Sequence, residues 1–173
     1  PVLTTTPAIM YTGSDAISLL LAPGEKTNIF INQREICRRQ SKLHREKKSD
    51  EANVYYGGYL AGLSAEINKL NFQTEIDSDY PLFIQELKDK NAEEVKAYIL
   101  EKQQSKLREI ENLKATKACK AVLHNAVNAS AASLLMFVPQ IVQRVHIVNY
   151  KLEGEASKEY VKNNPVQLPD NCL

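Results

Sequence analysis

Tryptophan is absent from this 173-residue chain, and glycine and proline are scarce, at six and seven residues. Backbone breakers are missing altogether between Glu25 and Tyr56 and again between Leu82 and Val138. Cysteine is sparse too. Cys37, Cys119 and Cys172 are odd in number and widely spaced, which excludes a disulfide framework and a closely spaced zinc site. Three ordinary thiols point to a reducing, cytoplasmic setting. The longest apolar runs, 19–22 and 134–138, fall far short of a membrane span. PVLTTTPAIM lacks the basic leader and apolar stretch of a signal peptide. Asn128-Ala-Ser has the form of a glycosylation acceptor, which carries no meaning in a cytosolic chain.

Catalytic signatures are missing as well. There is no GxSxG, HExxH or glycine-rich phosphate loop. Gly24-Glu-Lys-Thr has the ending of a P-loop without its first glycine, its preceding strand or the direct Gly-Lys step. His44, His124 and His146 have no Cys, His or carboxylate at metal-ligand spacing. The expectation is a protein without metal or cofactor that is not an enzyme.

What is present is an ordinary globular composition, 43% hydrophobic and 25% charged, in a length suited to one domain. A chain of this size buries roughly two thirds of its unfolded surface and folds without staples. The net charge of +1 conceals a segregation. Between Arg34 and Lys48 seven Lys and Arg meet two Glu, and between Glu75 and Glu94 seven acids meet two Lys. The acidic stretch is one possible partner for the basic one.

Helix signals dominate a pass along the chain. Residues 1–13 read as an extended arm. Ser14 and Asp15 offer caps for a short helix over 17–21, which Pro23-Gly24 ends. Thr27 or Asn28 is placed to cap a helix through Ile36 and Leu43, with a break in the polar stretch 41–52. A helix over about 50–71 would carry Tyr55, Tyr59 and Leu63 on one face and Gly58, Ala61 and Gly62 on another. Glycine costs roughly 1 kcal/mol in a helix relative to alanine, so this small-residue stripe suggests a tight helix crossing. Asp79 caps a helix with Pro81 in its first turn. Asn91 caps a long one through about 125, on the order of 50 Å at 1.5 Å per residue. The middle of that helix, 101–106, has no apolar residue, so it either projects into solvent or marks a break. Leu134, Val138, Ile141, Val145, Val148 and Leu152 recur at spacings of 4, 3, 4, 3 and 4, a helical seam that Pro139 kinks or starts. Gly154 ends it, a short helix over 156–162 can follow, and Pro165 and Pro169 bracket a tail.

The expected fold is all-α. It is a bundle of about five to six helices over 14–163, with the arm 1–13 and an irregular tail 164–173. The alternative is a mainly helical chain with a short strand near 145–152, where Val148, Tyr150 and Leu152 alternate with polar residues. No internal repeat or low-complexity tract breaks this plan.

The expected function is non-enzymatic. The seam and the glycine stripe suit a subunit that self-associates or joins an assembly, with arm and tail ordered on a neighbour. The alternative is a coat or packaging type of subunit that binds RNA or DNA. Arg34, Arg38, Lys42 and Arg45 would share a helix face, with Arg39, Lys47 and Lys48 beside it, and Tyr55, Tyr56 and Tyr59 could stack on bases.

Overall fold

The computed structural model describes residues 5–12, 15–41 and 53–165, without the side chains of Asp15, Arg39 and Gln40. They form β1 (Thr6–Thr12), β2 (Asp15–Leu21), β3 (Thr27–Ile31), α1 (Gln33–Gln40), β4 (Val54–Gly58) and α2 (Ala61–Leu70). After these come α3 (Tyr80–Glu86), α4 (Ala92–Asn112), α5 (Lys117–Met136), α6 (Val138–Asn149) and α7 (Gly154–Asn163). The strands pair as two antiparallel two-stranded sheets, β1 with β2 and β3 with β4. The chain is therefore mixed α and β, and the all-α expectation is corrected at 6–12, 15–21, 27–31 and 54–58.

The cause lies in the residues themselves. A lack of Gly and Pro permits a helix without selecting one. The segments TNIFI and VYYGG are rich in β-branched and aromatic side chains, which pack well on a pleated surface. Both are also too short for a helical period to declare itself. The expected arm supplies β1, the expected helix over 17–21 is β2, and the helix placed from Thr27 or Asn28 begins only after Asn32. The strand alternative near 145–152 is also corrected: residues 138–149 are α6 and a turn follows.

Two compact units can be distinguished, Pro1–Phe72 with Lys114–Val122, and Gln73–Leu113 with Leu123–Leu173. In the first, α2 packs against β2 and β4, and Ile17, Leu19, Leu20, Ile36, Val54 and Cys119 are buried. Burial pushes the Cys119 thiol up to about 11, with a smaller contribution from the charge of Glu66. Gly58 closes β4 at φ +105, where a Cβ would lie 2.2 Å from the Lys26 carbonyl oxygen. Only glycine fits there. Gly62, by contrast, sits in α2 with no described atom within 4 Å of its Cβ position. Thr116 leads into α5: its Oγ1 accepts from the Cys119 amide, while its own N–H and hydroxyl donate to the Glu66 carboxylate at 2.6 Å each.

The second unit is helical around Phe83, Ile84, Leu87, Val95, Ile99, Ala131, Val138 and Val145. Its helix starts follow local chemistry. Asp79 accepts from the Leu82 amide, and Asn91 with Glu94 forms a reciprocal capping box. α4 stops at Asn112 rather than continuing to about 125, but 101–106 stays helical within it. Its polar stretch takes polar partners: Gln103 donates to Asn128 at 2.8 Å and Lys106 to the Gln73 carbonyl at 2.6 Å. The seam bends by 73° between α5 and α6, with Pro139 in the first turn of α6. Lys151, at φ +52, makes the left-handed exit expected of Gly154, which instead begins α7. Among the described residues no single helix is long and apolar enough to cross a membrane.

Candidate interaction surfaces of the sheet-bearing unit

β2 has one edge against β1, and its other edge is closed by side chains. The Ser18 amide donates to Asn68 Oδ1 at 3.3 Å, and the Leu20 amide to Ser64 Oγ at 3.0 Å. The Ser18 carbonyl accepts from the Tyr56 hydroxyl at 2.7 Å, and the Leu20 carbonyl from Thr27 Oγ1 at 3.4 Å. Burial pushes the Tyr56 hydroxyl up to about 12, which keeps it a neutral donor. Four consecutive outward groups of the strand are thus satisfied without a third strand.

The outer edge of β1 is treated differently. In an antiparallel pair, residues whose polar groups face away from the partner strand lie opposite one another. Ser18 and Leu20 face away from β1, so their register partners Ile9 and Pro7 face away from β2, and Tyr11, opposite Ala16, follows the same phase. No other strand pairs with β1 among the described residues. Pro7, which has no N–H, sits where an outward N–H would otherwise be. The side chains of Ile9 and Tyr11 are 48% and 72% exposed.

A second surface lies on the β3–β4 sheet. The register sets Phe30 directly opposite Tyr55 and Asn28 opposite Gly57. Phe30 and Tyr55 are 65% and 53% exposed, and Tyr59, just past the strand, is 74% exposed. On the opposite face Val54 is buried and Tyr56 half-buried. Sequence reasoning singled out Tyr55 and Tyr59 but missed Phe30, because only the register makes Phe30 a neighbour of Tyr55.

The basic stretch is divided. Arg34 is exposed on α1. Arg38 holds the buried Glu35 in a two-pronged ion pair, Nε to Oε2 at 2.8 Å and Nη2 to Oε1 at 2.6 Å, so its guanidinium is committed inside the unit. The side chain of Arg39, and all of Lys42, Arg45, Lys47 and Lys48, lie outside the described residues. Of the small-residue stripe, Gly58 serves β4, Ala61 is half-buried at the start of α2, and Gly62 is exposed.

The seam residues belong to the helical unit. Val138 and Val145 are buried in its core, with Leu134 and Ile141 packed against them. Val148 is 41% exposed, and Leu152 lies just beyond the helix. Most of the seam is therefore consumed within the chain. The same unit has an open hollow of ≈ 270 Å³ lined by Glu86, Tyr98, Lys102 and Lys106 among others. Glu86 gathers two of its polar groups. The Tyr98 hydroxyl donates to Glu86, and Lys102 Nζ lies 3.2 Å from the same carboxylate. The Tyr98 bond, with that of Lys102, holds the Glu86 carboxyl below its ordinary range, while burial and Glu86 hold the Tyr98 hydroxyl up. His146 is stacked between Tyr150 and Tyr160, and His124 lies 3.0 Å from Glu111. Among the described residues no group of three or more His, Cys, Asp and Glu is placed to hold a metal ion.

No protein-family model, curated protein or solved structure matches the chain.

Proposed function

We propose that this is a non-enzymatic protein that works by protein contact and self-associates, with the outer edge of β1 as the contact. The observation that carries the reading is the contrast between the two edges of one hairpin. β2 is closed by Asn68, Ser64, Tyr56 and Thr27, while β1 presents exposed Ile9 and Tyr11 along an edge that no described strand occupies. An open edge is a template for another strand.

A second copy of β1 suits this edge. Place a twofold axis at Ile9, so that Ile9 faces Ile9 of the second copy and Pro7 faces Tyr11. The two Ile9 residues then exchange both of their N–H···O bonds. Each Tyr11 N–H finds a Pro7 carbonyl, and the missing N–H of Pro7 leaves only the Tyr11 carbonyl without a ladder partner. The contact is its own complement, as a twofold interface must be. Each backbone bond contributes about 1 kcal/mol net, so the strand pair alone makes a weak dimer whose population depends on concentration. A cytoplasmic setting goes with this reading, because Cys37 is free and exposed and Cys119 is free and buried.

The test is sedimentation velocity over a wide concentration range on wild type, Ile9→Pro and Ile9→Lys. The Ile9 N–H points away from β2, so proline there removes an intermolecular donor while β1–β2 pairing is kept, and lysine sets like charges face to face. The expected result is a concentration-dependent dimer in the wild type that both substitutions weaken. A wild type that stays monomeric throughout, or a dimer indifferent to both changes, refutes the assignment.

A further inference from the structure

We propose that the outer face of the β3–β4 sheet is a stacking platform for single-stranded nucleic acid, with Phe30 and Tyr55 as its aromatic contacts. The proposal is independent of self-association, since Ile9 and Tyr11 belong to the other sheet. Three observations carry it.

The first is the geometry of the aromatics. Phe30 and Tyr55 are direct cross-strand partners on the outward face, so backbone pairing roots both side chains at neighbouring positions. Both are more than half exposed, as is Tyr59. An aromatic cross-strand pair is normally valued for the apolar area it hides. Here that area is left in water, while the same sheet buries Val54 on its other face.

The second is flatness. Past the aromatic pair comes Asn28 opposite Gly57, and the Asn28 Cβ lies 3.4 Å from where a Gly57 Cβ would be. With no side chain at Gly57, β4 itself raises no wall next to Tyr55 on this face. Stacked bases need such a surface, because every base presents a π face whatever its sequence.

The third is charge. The sheet-bearing unit carries twelve Lys and Arg against seven Asp and Glu, +5, whereas the remainder of the chain carries ten against fourteen, −4. Arg34, exposed one turn past β3, stands within this excess. Aromatic exposure in a unit of positive balance matches a polyanion that also offers π faces, and single strands have both, whereas a duplex hides its bases. The basic residues counted here are not all ligands: Arg38 is spent on Glu35.

Fluorescence anisotropy of labelled single-stranded RNA and DNA of about 15 nucleotides, a length within the usual site sizes of single-strand binders, tests the proposal. A duplex of equal length and two salt concentrations complete the assay. The chains are wild type, Phe30→Ala/Tyr55→Ala, Phe30→Leu/Tyr55→Leu, Arg34→Glu and Ile9→Pro. The leucine pair keeps apolar bulk at both positions without a ring, which separates stacking from folding; circular dichroism checks each chain. The expected result is preference for single strands over duplex and a loss on the order of tenfold or more in both aromatic double variants. Arg34→Glu weakens binding and flattens its salt dependence, and Ile9→Pro binds with the wild-type intrinsic affinity. With no tryptophan in the chain, tyrosine emission can be followed, and it falls on saturation with single strands by an amount that shrinks in the Tyr55 variants. Absence of binding, equal binding of duplex and single strand, or affinities unchanged in folded double variants overturns the proposal. Lost self-association in those variants, without any nucleic-acid binding, would make the face a protein contact instead.

Discussion

Replacing Ser64 by alanine isolates the device that closes β2. Ser64 and Leu20 are both fully buried, and Ser64 Oγ accepts the Leu20 amide at 3.0 Å. Alanine leaves that amide without an acceptor and without water, a cost of about 1–3 kcal/mol. It also returns about 0.5 kcal/mol of helix propensity at the mutated position. The net expectation is a loss of about 1–2 kcal/mol, which lowers the urea midpoint by on the order of 0.5–1 M for typical denaturant slopes. Hydrogen exchange locates the effect: the Leu20 amide should exchange faster in Ser64→Ala, while amides of the core helix α4, such as Ile99, keep their protection relative to global stability. An unchanged midpoint together with unchanged Leu20 exchange would refute the view that side chains close this edge.

Two glycines in adjacent elements should respond with opposite signs. Gly62→Ala adds a methyl group into open space on α2 and should raise stability by about 0.5–1 kcal/mol, whereas Gly58→Ala, at φ +105 and 2.2 Å from the Lys26 oxygen, should lower it by at least about 2 kcal/mol in thermal melts. Equal effects would remove the distinction between a helix-surface glycine and a strand-end one. The thiols should separate as well. Cys37 is exposed, whereas Cys119 is buried with its thiol pushed up to about 11. At neutral pH alkylation followed by peptide mapping should label Cys37 rapidly and Cys119 only on unfolding. Rapid labelling of Cys119 in the folded chain would contradict its burial.

Legibility in the sequence followed the range of the interaction. Asp79 with Pro81, and Asn91 with Glu94, act on amides within one helical turn, so both helix starts could be read from residue type and spacing. The helical phase of 138–149 was legible for the same reason, although the sequence could not show that Val138 and Val145 face this chain's own core rather than a partner. Residues 101–106 illustrate the limit: their lack of apolar groups suggested solvent or a break, and distant partners such as Asn128 and Gln73 keep the helix whole.

What the sequence by itself determined is the chain's charge segregation, the helix starts at Asp79 and Asn91 and its want of a long apolar run, all properties of residues and their near neighbours. Tertiary structure decided the rest. Whether 15–21, 27–31 and 54–58 became helix or strand depended on a register that joins Ile29 to Tyr56 and on side chains that reach β2 from Ser64 and Asn68. Scarce glycine and proline leave both outcomes open, because a backbone without breakers can satisfy its polar groups along a helix or across a sheet. Long-range partners made that choice, and in making it they set Phe30 opposite Tyr55 and left the outer edge of β1 without a strand partner among the described residues.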